Sequence, residues 1–251
     1  MVNSRAAVTE AGAPPLSIVD ALPNNGDGLE NLLPVAALGG NLNVAVPAAW
    51  PSSPIPGRFD RLSVYLDNDL LSPVFIGSYP AGLIGVEFPL SITLLSEHFR
   101  REGQHVLTYE VIDGAGNVRN GDPSIFTVDT TAPNCNQSGY PLETFGVTVV
   151  DEALLLAHAN SLPTAVPPYT EQRPGDTAVL YFSTVQGVRG LQVATAQASD
   201  FSSPINLPVP GDHVRAFANG PLYATYMLED RAGNVATVGS IEKALILALV
   251  P

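Results

Sequence analysis

Leu107-Thr-Tyr-Glu-Val-Ile-Asp-Gly-Ala-Gly-Asn-Val118 decides the architecture, because it recurs as Ala224-Thr-Tyr-Met-Leu-Glu-Asp-Arg-Ala-Gly-Asn-Val235, an offset of 117 residues. Self-similarity at a long fixed period is the mark of a duplicated structural unit. Working outward, Gly57, Asp60, Leu62, Val64 and Tyr65 are echoed by Gly175, Asp176, Ala178, Leu180 and Tyr181, with an offset of 116 at Asp60 and Tyr65. Further upstream, Leu29-Glu-Asn-Leu-Leu-Pro-Val-Ala-Ala-Leu38 leads to Val46, Pro47 and Trp50. It parallels Val150-Asp-Glu-Ala-Leu-Leu-Leu-Ala-His158, which leads to Val166, Pro167 and Tyr169. Matched blocks in one order predict two domains of ordinary size, about 115–120 residues each.

The local patterns inside each unit are mostly β. Leu42, Val44 and Val46 alternate with Asn43 and Ala45, and Leu62, Val64 and Leu66 alternate with Ser63, Tyr65 and Asp67, which puts one face of each strand on a core. Val106–Ile112 and Ile125–Val128 add runs rich in β-branched and aromatic residues. Gly-Asn, Gly-Asp, Pro-Gly and Asn-Gly pairs between the runs mark turns, since Gly and Asn accept positive φ and Pro presets its own. The expected fold is all-β: two tandem immunoglobulin-like β-sandwich domains at 16–133 and 134–251, after a flexible N-terminal arm at 1–15. Asp151 to His158 reads as a short helix at the start of the second domain, with Asp151 as its N-cap. The equivalent stretch near Leu29 to Ala37 contains Pro34 and is limited to one turn.

The paired Asp-x-Ala-Gly-Asn motifs, at Asp113 to Asn117 and Asp230 to Asn234, and the segment Phe126-Thr-Val-Asp-Thr-Thr-Ala-Pro133 resemble the bacterial immunoglobulin-like (Big-type) repeats of large surface proteins. That resemblance implies that the first motif closes the hairpin between the last two strands and that the second ends one module and leads to the next. Gly116 and Asn117 suit a tight primed turn, and Asp129 and Thr130 can bond their own backbone as a strand ends. Departures from the pattern are Pro51 to Pro56 and Asp151 to Ser161, which read as insertions, and the final stretch from Ser240, which lacks Asp-Thr-Thr.

Composition limits function. With 11 Lys and Arg against 24 Asp and Glu, the formal net charge is −13, so nucleic acid and anionic lipid surfaces are repelled. No apolar run approaches the ~20 residues of a spanning helix. The start, Met1 to Ala7, has no apolar signal-peptide core, which leaves open a fragment, another export signal or retention inside the cell. Only 14% of residues are charged, against a norm of about 25%. That balance suits a surface of hydroxyls and amides, and hence an extracellular or cell-surface location.

No catalytic constellation is visible. His98, His105, His158 and His213 lack metal-ligand spacing; His98 and His105, near a loop before a strand, read as solvated polar residues, and Cys135, the single cysteine, reads as a thiol in a connector. Asn24 to Gly28 and Asp67 to Asp69 are oxygen-rich but lack the spaced ligands of a calcium loop and read as turns. The resemblance alone raises structural calcium, at Asp113 and Asp129. Catalytic, cofactor-binding and metal residues are therefore all set at none. Aromatics make up 7%; Trp50, Tyr79 and Tyr140 are the candidates for a sugar platform, although the match of Trp50 to Tyr169 favours a structural role. The expected function is a non-enzymatic structural or adhesion module, monomeric within a longer repeat chain, with a protein or glycan as surface ligand. The alternative is a carbohydrate- or receptor-binding module, possible in a secreted toxin or effector, with its site on Asp67 to Gly85 or Gly187 to Ser203.

Overall fold

A computed structural model describes residues 13–249. Two units divide the chain: one takes the described residues up to Pro23 together with Leu29–Asp129, the other takes Asn24–Gly28 and the chain from Thr130 onward. In the first unit the order is β1 (Ser17–Ile18), a single helical turn α1 (Val35–Leu38), β2 (Leu42–Val46), β3 (Phe59–Leu66), β4 (Phe75–Pro80), β5 (Leu90–Leu94), β6 (Gly103–Ile112), β7 (Val118–Asn120) and β8 (Ser124–Val128).

These strands form two sheets. One runs β1-β2-β5, and the other runs β4-β3-β6-β7 with β8 also on β6. That division into a three-stranded and a five-stranded sheet, with every strand pair antiparallel, is the immunoglobulin-like arrangement. In β6 burial alternates: Leu107, Tyr109 and Val111 point inward between Thr108, Glu110 and Ile112. They meet Leu42, Val44, Ile92 and Leu94 from the facing sheet, with Phe126 and Trp50 completing the core. Each fully buried Leu or Phe contributes ~2 kcal/mol, and each turn hydrogen bond ~1 kcal/mol. The sandwich, more than its turns, therefore holds the unit.

The last strand of unit 1 is broken. Between β7 and β8 lie Gly121, Asp122 and Pro123, where Gly121 N still donates to Tyr109 O at 2.8 Å. A side chain at Gly121 would collide with the Tyr109 ring, and Pro123 has no N–H for a ladder.

The second unit runs β9 (Val149–Val150), α2 (Glu152–Ala157), β10 (Ser161–Leu162), β11 (Ala165–Val166), β12 (Thr177–Ser183), β13 (Leu191–Gln197), β14 (Ile205–Asn206), β15 (Val209–Pro210), α3 (Gly211–Arg215), β16 (Gly220–Glu229) and β17 (Lys243–Leu247). Its larger sheet is β13-β12-β16-β17-β9, closed by a parallel pairing of β17 with β9. The opposing layer is two short ladders, β10-β15 and β11-β14. Leu180, Phe182, Leu222, Ala224 and Tyr226 meet Leu162, Val166, Ile205 and Val209 in the core. Within this unit Asp27 Oδ2 lies 2.6 Å from Arg231 Nε, and Arg173 donates to the Asp27 carbonyl at 3.1 Å.

The all-β class and the short helix match the sequence reading. Asp151 caps α2, its side chain accepting from Leu154 N at 2.8 Å. Pro34 precedes α1 and restricts that segment to one turn. Four expectations are corrected or limited. The 113–117 turn is not a two-residue primed turn: only Gly116 has positive φ (89°), and Asp113 spans the loop by accepting from Ala115 N and Asn117 N. His105 is buried rather than solvated. Of the expected flexible arm, 1–12 lies outside the described residues, while Ala13 bridges Gly121 and the Pro14 carbonyl accepts from Tyr109. Tyr65 and Leu66 extend β3, but Asp67 already lies in a left-handed turn, with φ 52°.

Candidate functional site

Each repeat buries one acid at the start of its central strand. In unit 1 Asp60 accepts from Trp50 Nε1 at 2.8 Å and from Gly114 N at 2.8 Å. In unit 2 Asp176 accepts from Tyr169 OH and from Arg173 N, both at 2.9 Å and both on Oδ2. Trp50 is 4% exposed and stands edge-on to Tyr79 and Phe88. It therefore fixes the core and offers no stacking face. Tyr140 is exposed, but it lies in the other unit, where its carbonyl accepts from Tyr226 OH. Of the three suggested platform aromatics, unit 1 brings together Trp50 and Tyr79, inside its core, and Tyr140 belongs to unit 2.

The matched tyrosines have a structural role. Tyr109 OH donates to Pro14 O at 2.8 Å, and Tyr226 OH donates to Tyr140 O at 2.9 Å. Burial pushes the Tyr226 hydroxyl up to about 12 and also raises Tyr109, with Asp122 adding to the latter. Both phenols therefore remain protonated donors.

Asp113 is occupied by its own turn: Oδ1 accepts the Ala115 and Asn117 amides and Oδ2 accepts Asn117 Nδ2 at 2.8 Å. Asn117 donates in this way to hold the Asp113 carboxyl below its ordinary range. Asp230 and Asn234 repeat the arrangement. Among the described residues no three His, Cys, Asp or Glu side chains converge to hold a metal ion. Cys135 is exposed, and its Sγ lies 3.6 Å from Glu171 Oε2. Burial and the adjacent Glu171 carboxylate both raise the thiol, which disfavours the nucleophilic thiolate.

A site that sequence patterning alone did not single out lies on the outer face of the larger sheet of unit 1. A groove of about 510 Å³ is lined by Tyr65, Asn68, Leu70, Thr108, Glu110 and Asn120, with backbone at Tyr109 and Gly121 as its floor. Strand register explains the convergence. Tyr65 lies opposite Thr108, Ser63 opposite Glu110, and Glu110 opposite Asn120. The break at Gly121–Pro123 leaves Thr108 beside an interrupted strand. Thr108 Oγ1 is buried with no hydrogen-bond partner among the described residues. Only Asn68 and Leu70 come from the expected 67–85 segment; the turn after β3 carries them, and Leu70 is 65% exposed.

The same face of unit 2 is built differently. Tyr181 and Thr225 pair as Tyr65 and Thr108 do, but Val179 and Met227 replace Ser63 and Glu110. Met227 is covered, and a side chain at Gly239 would sit 3.2 Å from its sulfur. Arg189 lies over the Tyr181 ring, 5.5 Å from its centroid. The sequence did hold one signal for this difference: Glu110 becomes Met227 within otherwise matched strands.

No family model matches the chain, and no curated protein matches it. Among solved structures the chain is similar to a 1.5-MDa bacterial ice-binding adhesin, at 16% identity over 95% of this chain and 66% of that one, with TM-score 0.42. It is similar to a Ca²⁺-stabilized, ice-binding adhesin of an Antarctic bacterium, at 15% identity over 96% of this chain and 50% of that one, with TM-score 0.39. It is also similar to fibronectin(III)-like modules of Clostridium thermocellum CbhA, at 9% identity over 93% of each chain, with TM-score 0.41. The chain spans less than two thirds of the length of the first two. The fold assignment stands on the strand order and pairing given above.

Proposed function

We propose that this chain is a pair of non-enzymatic adhesion modules from a surface or secreted repeat protein, and that its first unit recognises a neutral saccharide. The observation that carries the reading is the contrast between the two outer faces. A spacer gains nothing from treating its duplicated faces differently, whereas unit 1 opens a groove around Glu110 where unit 2 has the covered Met227 and sets Arg189 over Tyr181.

The groove has the composition a sugar requires. Its volume falls within the ~300–1,000 Å³ range of small-molecule sites. The half-buried Tyr65 ring supplies an apolar face for ring C–H groups, and the Thr108 hydroxyl can both donate and accept. Asn68 and Asn120 bring amide donors and acceptors, and the Glu110 carboxylate accepts from sugar hydroxyls. Glu110 is the charged member of that lining, and the whole chain carries −13, so an anionic sugar is disfavoured. The resemblance of the Asp-x-Ala-Gly-Asn motifs to Big-type repeats supports this reading. The low charge content supports it as well.

The test is an array of neutral glycans probed with the full chain and with Tyr65→Ala and Glu110→Gln. Binding by the parent, weakened about tenfold or more by either substitution, equivalent to ~1.4 kcal/mol, is the expected result. Absence of binding across the array, or binding unaffected by both variants, overturns the proposal and leaves a spacer.

A further inference from the structure

We propose that His105 is a proton-dependent pin, which as an imidazolium holds the turn after β3 against the start of β6 and so fixes the end of the groove that carries Asn68 and Leu70. His105 is 2% exposed, with Nδ1 2.9 Å from Asp67 Oδ2 and Nε2 2.7 Å from the Arg101 carbonyl oxygen. A carboxylate and a carbonyl both accept only. A neutral imidazole has one N–H and one lone pair, so it would satisfy one partner and turn a lone pair on the other at contact distance. The doubly protonated ring donates to both.

The same carboxylate joins the ring to the backbone. Asp67 Oδ1 accepts from Val106 N at 3.1 Å, and Asp67 N donates to Val106 O at 2.8 Å. The charged groups facing the ring are Asp67 and, behind it, the exposed Arg101 guanidinium, 3.4 Å from Asp67 Oδ2. β8 contributes the Phe126 ring, stacked with its centroid 5.2 Å from the imidazole. Burial works to raise the Asp67 carboxyl, but the bonds from His105 and Val106 outweigh it and hold the group below its ordinary value.

Unit 2 shows that the fold does not require this pair. Leu222, fully buried, stands at the position of His105, and Ser183, bonded to the Val185 carbonyl, stands at that of Asp67. A buried ionic pair kept where the sister domain uses leucine is suited to a switch, since apolar replacements of such pairs are often neutral or stabilising. The pin closes in a window of pH. It holds while the ring carries both protons and Asp67 carries none, and it loosens when either condition fails.

The test uses the full chain, with ¹⁵N spectra of the histidine rings and amide-exchange protection factors at pH 5.5 and 8.5. At pH 5.5 both His105 nitrogens carry protons, and at pH 8.5 protection of the Val106 amide falls at least tenfold relative to the Leu62 amide in the body of β3. The double substitution His105→Leu with Asp67→Ser, which installs the residues of unit 2, removes that pH dependence. Should the double variant not fold, Asp67→Asn serves alone, because an amide can donate to the neutral ring while still accepting from Val106, and the dependence again disappears. A single neutral tautomer at pH 5.5, or Val106 protection unchanged between the two pH values in the parent, overturns the proposal. The consequence for sugar affinity rests on the reading in the previous section. A turn that loosens in a chain that binds no glycan would sink that reading and leave the pin standing.

Discussion

Replacing Asp176 with Asn should stabilise unit 2 at neutral pH, although it removes a buried, hydrogen-bonded acid. Asp176 is 2% exposed, and burial is the main cause pushing its carboxyl up to about 6. Hydrogen bonds from the Arg173 amide and Tyr169 hydroxyl pull it down but do not compensate, and the nearby Asp230 carboxylate raises it further. The carboxyl thus rises from its ordinary 3.8 to about 6. At ~1.4 kcal/mol per unit, the charged form therefore costs about 3 kcal/mol, as an order of magnitude. The sign follows from linkage: a carboxyl whose folded value lies above its unfolded value holds its proton more tightly when folded. Its contribution is fully present below about 3.8 and is lost as pH rises through about 6. Both donors converge on Oδ2, so an Asn oxygen in that place keeps both bonds without the charge.

The assay is urea unfolding of the full chain, read from amide signals in β12 and β16. Asp176→Asn should exceed the parent by up to about 3 kcal/mol at pH 7.5, with the gap closing near pH 4. A variant no more stable than the parent at pH 7.5, or a gap independent of pH, would refute the reasoning.

Other substitutions test the scaffold. Gly121→Ala forces a methyl into the Tyr109 ring, so unit 1 should lose ~1–3 kcal/mol in urea unfolding while unit 2 is unaffected. Trp50→Phe leaves the buried Asp60 carboxylate without its indole donor, and the same measurement should show a loss of ~1–3 kcal/mol confined to unit 1. Asp151→Ala removes the cap of α2, lowering unit 2 stability by ~1 kcal/mol and raising amide exchange at Leu154. Acidification should loosen the Asp113 turn, because a carboxyl held low contributes stability above its unfolded value and loses it as pH falls through the folded one. Faster exchange at Asn117 below pH 4 is the expected sign.

Features set by nearby residues were legible in the sequence. Alternation places Leu42, Val44 and Val46 inward, Asp151 is readable as a cap, and duplication pairs Trp50 with Tyr169, each of which bonds a buried acid. What escaped depends on partners far apart in the chain. His105 reads as polar and solvated until Asp67, 38 residues away, is brought beside it. The groove exists because pairing sets Tyr65 beside Thr108 and Glu110 beside Asn120, and no single segment shows that. The 113–117 turn differs for a local reason: Gly-Asn suits a two-residue primed turn, but the Asp113 side chain spans a longer loop.

The most direct test of the central claim is an amide chemical-shift titration of the ¹⁵N-labelled full chain with cellohexaose, maltohexaose, mannohexaose and xylohexaose in turn. Recognition by unit 1 predicts saturable shifts for at least one sugar, concentrated at Tyr65, Asn68, Leu70, Thr108, Glu110 and Asn120 and absent from Tyr181, Thr225 and Met227. Shifts of equal size on both units, shifts elsewhere, or none with any of the four would contradict it.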